Sequence, residues 1–160
     1  ERAFIPDDIW PTVKQWSVSA TADFVVTRKA QVTCGPFQFL LAKRAEPPWE
    51  GQWFIPGGRI KPGETSGQAC RRNIRRELGF EPKEISYVGE IPAYNPDSPE
   101  GVDWFSLWHL YGVPVEFNQV FQPNQENLEL KWFEKIDPSF PEPVRHGLEM
   151  MGFDYRSVTC

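Results

Sequence analysis

The sequence predicts a single α/β domain that spans residues 1–160. Stretches rich in β-branched and aromatic residues, which favour strands, alternate with segments whose apolar residues have helical spacing. A chain of 160 residues can bury about two-thirds of its unfolded surface around one core. No internal repeat or separate linker divides the sequence, so a second domain is not expected.

The N-terminal part of the chain is expected to contain a short helix and two strands. Asp7 or Asp8 precedes Trp10 and is expected to cap the helix. β-branched and aromatic residues then predict strands at 17–28 and 36–44, with turn-forming residues between them.

Residues 57–80 combine a glycine-rich turn with a helix. The glycine pair that begins this segment predicts an irregular backbone that can approach a ligand, because no side chain obstructs it. Thr65 or Ser66 is expected to cap the helix, and Gly79 is expected to end it. The apolar face of the helix comes from Ala69, Ile74 and Leu78.

The elements that follow complete the predicted sheet and its covering. Strands are expected at 85–94, 102–115 and 128–133, and the apolar spacing at 142–151 predicts a final helix. The second of these strands is aromatic on both faces, which suits a strand buried between two layers. Turn-forming residues fill the loop at 95–101, which is expected to reach a ligand.

The composition excludes several classes of protein. A formal net charge of −5 and a pI near 5.1 argue against a nucleic-acid-binding surface. The three cysteines are odd in number and lack metal-ligand spacing, which indicates a reducing compartment. Because the sequence shows no long apolar run and no signal-like start, we expect a soluble, cytoplasmic protein without a membrane partner.

A charged motif begins in the glycine-rich turn and continues along the helix. Gly58 is followed by Glu64, Arg72 and Glu77 at intervals that an ordinary amphipathic helix does not explain. The motif resembles the Nudix box, G-x5-E-x7-R-E-U-x-E-E-x-G-U, where U is a bulky apolar residue. This resemblance to the Nudix hydrolase family implies an α/β/α sandwich around a mixed β-sheet. The matching positions are Gly58, Glu64, Arg72, Ile74, Glu77, Gly79 and Phe80.

Two positions of the box depart from the family pattern. Asn73 and Arg76 replace glutamates that ordinary members use as metal ligands or base, while Glu77 is kept. Since Mg²⁺ prefers oxygen ligands, this face is expected to bind one Mg²⁺, or Mn²⁺ in its place, and not a metal cluster. Arg76 is expected to fill the space of a second metal, and Arg72 to pair with a nearby carboxylate in a structural role.

The departures resemble the GDP-mannose mannosyl hydrolase branch of the family, as do residues 23–26, 39–44 and 51–59. This resemblance implies a homodimer that hydrolyses a nucleoside-diphosphate sugar at the sugar carbon. It also implies that residues 1–16 help to form the nucleotide site and the dimer interface. Trp10 in that segment is expected to serve in packing more than in stacking on a base.

The branch also implies roles for individual residues. Arg44 would stabilise the departing diphosphate, and Asp23 would contact the substrate and take part in catalysis. Arg59 is a further substrate-binding candidate, and the Gly57 carbonyl and the Glu77 carboxylate would bind the metal. From the residues alone, Asp23 can also be a strand-edge residue and Arg44 a solvated strand end.

The loop before the strand at 128–133 supplies the last candidate, in two registers. In the first, Glu126 takes the place of a metal-binding glutamine of the branch, and Asn127 that of its general-base histidine. In the second, Gln125 is the metal ligand and Glu126 accepts the proton directly. Glu126 as a solvated loop residue is the third interpretation.

Two further functions stay open because some positions differ from the branch. Trp108 lacks the hydroxyl of the tyrosine expected there, its neighbour His109 is expected to pack, and Asn127 cannot accept a proton. One alternative is a pyrophosphatase that attacks phosphorus in ADP-ribose or a nucleoside triphosphate, although the missing glutamates count against it. The other is a nucleotide-sugar-binding module without catalysis.

Overall fold

The computed structural model describes residues 5–31, 37–96, 98, 101–124 and 127–156. Within these residues no helix has the length and apolarity needed to cross a membrane. The described part of the chain forms three helices and seven strands in the order α1 (Trp10–Trp16), β1 (Val18–Lys29), β2 (Phe37–Arg44), β3 (Trp53–Phe54), β4 (Gly57–Arg59), α2 (Ser66–Leu78), β5 (Ser86–Asn95), β6 (Trp104–Pro114), β7 (Asn127–Phe133) and α3 (Glu142–Met150).

The seven strands form one mixed sheet. Its main path runs β3-β2-β1-β6-β5, while β4 pairs with β1 and β7 pairs with β2. β1 and β6 are parallel, whereas the other pairs are antiparallel. The predicted α/β fold around a mixed sheet is therefore confirmed.

Alternate residues of the central strands point into two separate cores. Val25 and Leu41 lie in the core on the face that α3 covers, while Phe24 and Leu40 lie in the core under α2. This alternation follows from the two-residue period of a strand. Because each face is covered by a helix, the central strands are apolar on both faces, as predicted.

The ends of α2 follow its local sequence. Thr65 accepts a hydrogen bond from the Gln68 amide, and the Gln68 side chain accepts one from the Thr65 amide, which completes a capping box. Gly79 ends the helix with a φ of 70°. A Cβ at Gly79 would lie 2.8 Å from Cβ of Gln122, so this position needs glycine for conformation and for space.

Two local predictions were wrong. The N-cap of α1 is Ile9 without a side-chain hydrogen bond, so neither Asp7 nor Asp8 caps the helix. The glycine pair was expected to be irregular, but Gly57–Arg59 forms strand β4 and pairs with β1. Pairing with β1 supplies hydrogen-bond partners that the local sequence does not reveal.

The predicted pairing of Arg72 with a carboxylate is confirmed. Nε and Nη2 of Arg72 donate to the two carboxylate oxygens of Glu64 at 2.6 and 2.8 Å. Nη2 also donates to the Arg59 carbonyl at 2.9 Å, which ties α2 to β4. This pairing, with a hydrogen bond from the Lys61 amide, lowers the pKa of Glu64 to about 2.

We expect Arg72→Lys to lower the free energy of unfolding by about 1–3 kcal/mol, because lysine keeps the charge but cannot span these acceptors. Urea denaturation measures the change. The control is Arg71→Lys on the same helix, where the side chain is 35% exposed and pairs with Glu81 outside the turn. Equal stability of the two variants would contradict the structural role of Arg72.

Candidate active site

A cleft of about 270 Å³ lies where β1, β2, β4 and β6 meet the C-terminal half of α2. It brings together residues that are far apart in the sequence, each at a strand or helix that fixes its direction. Five of the six predicted site residues line it: Asp23, Arg44, Gly57, Arg59 and Glu77. The sixth, Glu126, lies outside the described residues, as does its alternative Gln125.

The backbones of β1 and β4 approach each other closely at the floor of the cleft. Gly57 is paired with Asp23, and a Cβ at Gly57 would lie 2.7 Å from Cα of Asp23. That separation is far inside van der Waals contact, so any other residue at 57 would displace one of the two strands.

Two oxygens at this floor converge on a single cationic nitrogen. Nη2 of Arg76 donates to the Gly57 carbonyl at 3.2 Å and to Oε1 of Glu77 at 2.8 Å. The Glu77 side chain is only 4% exposed, so its charge is held away from bulk water. Arg76 thus contacts both of the oxygens that are predicted to bind the metal. Its place at a second metal position stays a prediction.

Asn73 acts as a structural anchor where the family pattern has a glutamate. It is fully buried, and its Nδ2 donates to the carbonyls of Ala22 and Gly58 at 3.1 and 3.0 Å. Its Oδ1 accepts from Nη1 of Arg72 at 2.9 Å. A carboxylate cannot donate to these carbonyls, so asparagine here joins α2 to both strands of the floor.

The described residues offer a small donor set for a metal. No group of three His, Cys, Asp or Glu side chains among them is arranged to hold an ion. The Gly57 carbonyl and the Glu77 carboxylate nevertheless meet at one point, as their shared contact with Arg76 demonstrates. Two such oxygens fit one divalent cation whose other ligands are water or substrate oxygens.

Asp23 is a buried acid at the centre of the cleft. Its pKa is raised to about 8, chiefly by burial and also by the negative charge of Glu77, while a hydrogen bond from Thr21 and the charge of Arg44 act in the opposite direction. The Thr21 hydroxyl donates to Oδ2 of Asp23 at 2.5 Å. At neutral pH Asp23 is therefore mainly protonated and can donate a hydrogen bond to a ligand.

Two arginines, Arg44 and Arg59, place positive charge in the lining of the cleft. Arg44 ends β2, where its Nε donates to the Glu46 carbonyl at 3.3 Å and its guanidinium lies 5.3 Å from the Phe54 ring. The guanidinium of Arg59 stacks on Trp10 of α1 at 4.1 Å. Contact with Arg59 accords with the packing role expected for Trp10.

A polar group on β5 and β6 was not predicted from the sequence. Nε1 of Trp108 and Nδ2 of Asn95 both donate to the Ser106 hydroxyl at 2.9 Å, and all three residues line the cleft. The sequence pattern that could have revealed it is the two-residue spacing of Ser106 and Trp108, which puts both side chains on one face of β6. Thr21 and Asp23 have the same spacing on β1, the neighbouring parallel strand. Polar side chains at alternate positions of neighbouring buried strands need polar partners, which indicates that they line a common cavity.

The histidines lie away from the cleft. His109 is on β6 with its Nδ1 3.8 Å from Oε1 of Glu90, and its ring contacts Tyr87. Neither His109 nor His146 of α3 belongs to the described lining of the cleft. The expectation that His109 packs and does not catalyse agrees with this placement.

The chain returns to the site at the start of β7. Asn127 is paired with Arg44 on β2, after a register shift in the two strands. Just before it, the amides of Gln122 and Asn124 donate to the carbonyls of Leu78 and Glu77 at 2.8 and 3.1 Å. The C-terminal end of α2 therefore positions the segment that leads to the predicted loop residues.

The raised pKa of Asp23 predicts a pH-dependent stability. Between the ordinary pKa of 3.8 and about 8, the folded protein holds a proton that the unfolded chain has released. The stabilisation is complete below the ordinary pKa and is lost as the pH rises through 8, with a slope of up to about 1.4 kcal/mol per pH unit.

Asp23→Asn removes this titration, so its free energy of unfolding should fall less between pH 5 and 8 than that of the unmodified protein. Urea denaturation in EDTA at several pH values measures both slopes, and their difference isolates Asp23 from other titrating groups. Parallel slopes would show that Asp23 is ionised in the folded protein at neutral pH.

Comparison with known proteins places this geometry in a family. A family model described as the NUDIX domain matches residues 20–148. The human 8-oxo-dGDP phosphatase NUDT18 is 28% identical over 110 residues, which cover 68% of this chain and 31% of that protein. The low-salt glycan biosynthesis protein Agl8 of Haloferax volcanii is 31% identical over 100 residues, covering 62% and 60%. The chain thus spans less than two thirds of the length of these curated relatives.

Solved structures share the fold. A MutT protein from Methanosarcina mazei Go1 superposes with a TM-score of 0.63 at 20% identity, over 84% of this chain and 93% of that one. The NUDIX domain of Shewanella oneidensis NrtR, complexed with ADP ribose, gives 0.59 at 19% identity, over 82% and 78%. Because the family model covers most of the chain and the fold agrees, this chain belongs to the Nudix family.

Proposed function

We propose that this chain is a Mg²⁺-dependent hydrolase of a nucleoside-diphosphate sugar, which substitutes at the sugar carbon and releases the nucleoside diphosphate. One observation carries the proposal. Of the three box positions at 73, 76 and 77, only Glu77 supplies a carboxylate to the cleft, while Asn73 and Arg76 hold backbone carbonyls. One carboxylate suits a single cation that binds a leaving diphosphate. It suits less well an attack on phosphorus that is supported by several cations.

Arg44 is the proposed electrostatic partner of the leaving group. As the bond between the sugar carbon and the phosphate oxygen breaks, negative charge develops on the diphosphate. A guanidinium fixed at the end of β2 provides planar paired donors for those oxygens without reorganising at the moment of reaction. Arg59, which also lines the cleft, is proposed to bind the substrate.

The metal has a defined place in this proposal. Nudix hydrolases generally use a divalent metal, typically Mg²⁺. Here the Gly57 carbonyl and the Glu77 carboxylate would hold it, and when bound it supplies positive charge beside the diphosphate. Glu126 is proposed either to complete this ligand set or, in the alternative register, to accept the proton of the attacking water.

Asp23 is proposed to act in its protonated form. With a pKa near 8 in the metal-free protein, it is mainly protonated at neutral pH and can donate a hydrogen bond to the substrate. The sugar hydroxyls or a phosphate oxygen are suitable acceptors. Asp23 therefore remains one of the proposed catalytic residues. The proton of the attacking water is proposed to be accepted in the loop before β7.

The names of the related proteins support a nucleotide-derived substrate in general, since one is an 8-oxo-dGDP phosphatase and a solved neighbour is complexed with ADP ribose. The glycan biosynthesis protein Agl8 is the relative whose name agrees with a sugar nucleotide. GDP-mannose is the first candidate for this chain. The cytoplasmic homodimer stays a prediction from composition and from the family branch.

The second candidate function is hydrolysis at phosphorus in an ADP-ribose-like or nucleoside-triphosphate substrate. The neighbour with ADP ribose and the phosphatase name favour it. The replacement of two box glutamates by Asn73 and Arg76 weighs against it. A binding module without turnover, suggested by Asn127 at a position where the branch has a base, is the third.

We expect Arg44→Ala and Glu77→Gln each to lower turnover at least about 100-fold, because each removes charge from the transition state. Steady-state kinetics with Mg²⁺ and the best GDP-sugar measures the change. Lys43→Ala is the matched control, since Lys43 adjoins Arg44 on β2 but lies near Trp53 and outside the described lining of the cleft. Near-normal turnover of either site variant would refute its assigned role.

Product analysis tests the reaction class. Incubation with a panel of GDP- and ADP-sugars should yield the nucleoside diphosphate and the free sugar, identified by mass spectrometry. A nucleoside monophosphate with a sugar phosphate would instead establish a pyrophosphatase. Intact substrates that nevertheless bind tightly would favour the binding module.

A further inference from the structure

The contact of Arg76 with the predicted metal ligands leads beyond the proposed reaction. One guanidinium nitrogen of Arg76 bonds the two oxygens, of Gly57 and of Glu77, that would ligate the divalent cation. A metal ion and this nitrogen cannot occupy the same point. Binding of the metal therefore requires Arg76 to give up both contacts.

The surroundings of Arg76 allow such a movement. Its side chain is 42% exposed, while that of its partner Glu77 is 4% exposed. Arg76 also lines a second cavity of about 750 Å³, which lies between α1 and the loop after β4 and does not include Glu77 among its described walls. The guanidinium thus borders an open space that Glu77 does not border, and it has room to move away from the two oxygens without unfolding α2.

Glycine at position 58 contributes to this arrangement. A Cβ there would lie 3.1 Å from Nη2 of Arg76 and 3.1 Å from Oδ1 of Asn73. A larger residue would press on the guanidinium, so Gly58 leaves the room in which it reaches the two oxygens. The position of Arg76 is therefore set by its neighbours as well as by its charge.

We propose that Arg76 is a built-in competitor of the divalent metal, whose guanidinium holds the cation position of the metal-free site and is displaced when the ion binds. The proposal rests on the single-cation site of the proposed function but not on its reaction. As a consequence, the two oxygens bind the metal more weakly than they would without the guanidinium of Arg76. Arg76 also keeps the buried carboxylate of Glu77 paired when no ion is present, which avoids an uncompensated buried charge.

The test is direct metal binding without substrate. The concentration of free Mn²⁺ is measured by electron paramagnetic resonance during titration of the purified protein. The rise in the melting temperature of the protein with added Mn²⁺ is followed in parallel. Arg76→Ala should bind Mn²⁺ at least about tenfold more tightly, because hydrogen bonds to a charged group no longer oppose the ion. Arg76→Glu should tighten binding further by adding a carboxylate.

Arg75→Ala is the matched control, because Arg75 precedes Arg76 on α2, carries the same charge and pairs with the exposed Glu81. It should leave the Mn²⁺ affinity within about twofold of the unmodified protein, as expected for a solvent-screened charge. Circular dichroism verifies that each variant is folded.

Three results would overturn the proposal: unchanged or weaker Mn²⁺ binding by folded Arg76→Ala, equal tightening by Arg75→Ala, or no Mn²⁺ binding by any of these proteins. Because no substrate is present, an inactive protein can still confirm the competition, and an active one can still refute it. Failure of this proposal is thus separable from failure of the proposed function.

Discussion

The close approach of β4 to β1 at Gly57 and Asp23 is the constraint on which the site depends. It turns the Gly57 carbonyl toward α2, where Arg76 binds it, and it encloses Asp23 so that burial dominates its pKa. Asn73 maintains the approach by donating to a carbonyl of each strand. β1, β4 and α2 together therefore set the distance between the acid and the predicted cation position.

The charges that result differ from those of a face with three glutamates. Asp23, whose pKa is raised, lines the cleft with one buried carboxylate, Glu77, and with Arg44 and Arg59, while Arg76 contacts Glu77. In the proposed reaction, a diphosphate that enters this cleft meets positive charge that is already oriented, which is the condition for electrostatic stabilisation of a leaving group.

Local sequence was sufficient where the interactions are local. The cap at Thr65, the stop at Gly79 and the pairing of Arg72 depend on residues within about two turns of helix and a single loop, and they were predicted. Strand β4 depends on backbone pairing with β1, which is distant in sequence, and it was missed. The polar group at Ser106 likewise requires the register of β5 against β6, which residue spacing within a single strand does not determine.

Hydrolysis adds one oxygen atom from water to one of the two products. The position of that atom tests the central claim, that one cation and Arg44 support departure of the diphosphate from the sugar carbon. The measurement is hydrolysis of GDP-mannose, or of the best substrate of the panel, in water enriched in oxygen-18, followed by mass spectrometry of both products. The account predicts the label in the free sugar and none in the nucleoside diphosphate. Label in a phosphate product would contradict it and would establish attack at phosphorus.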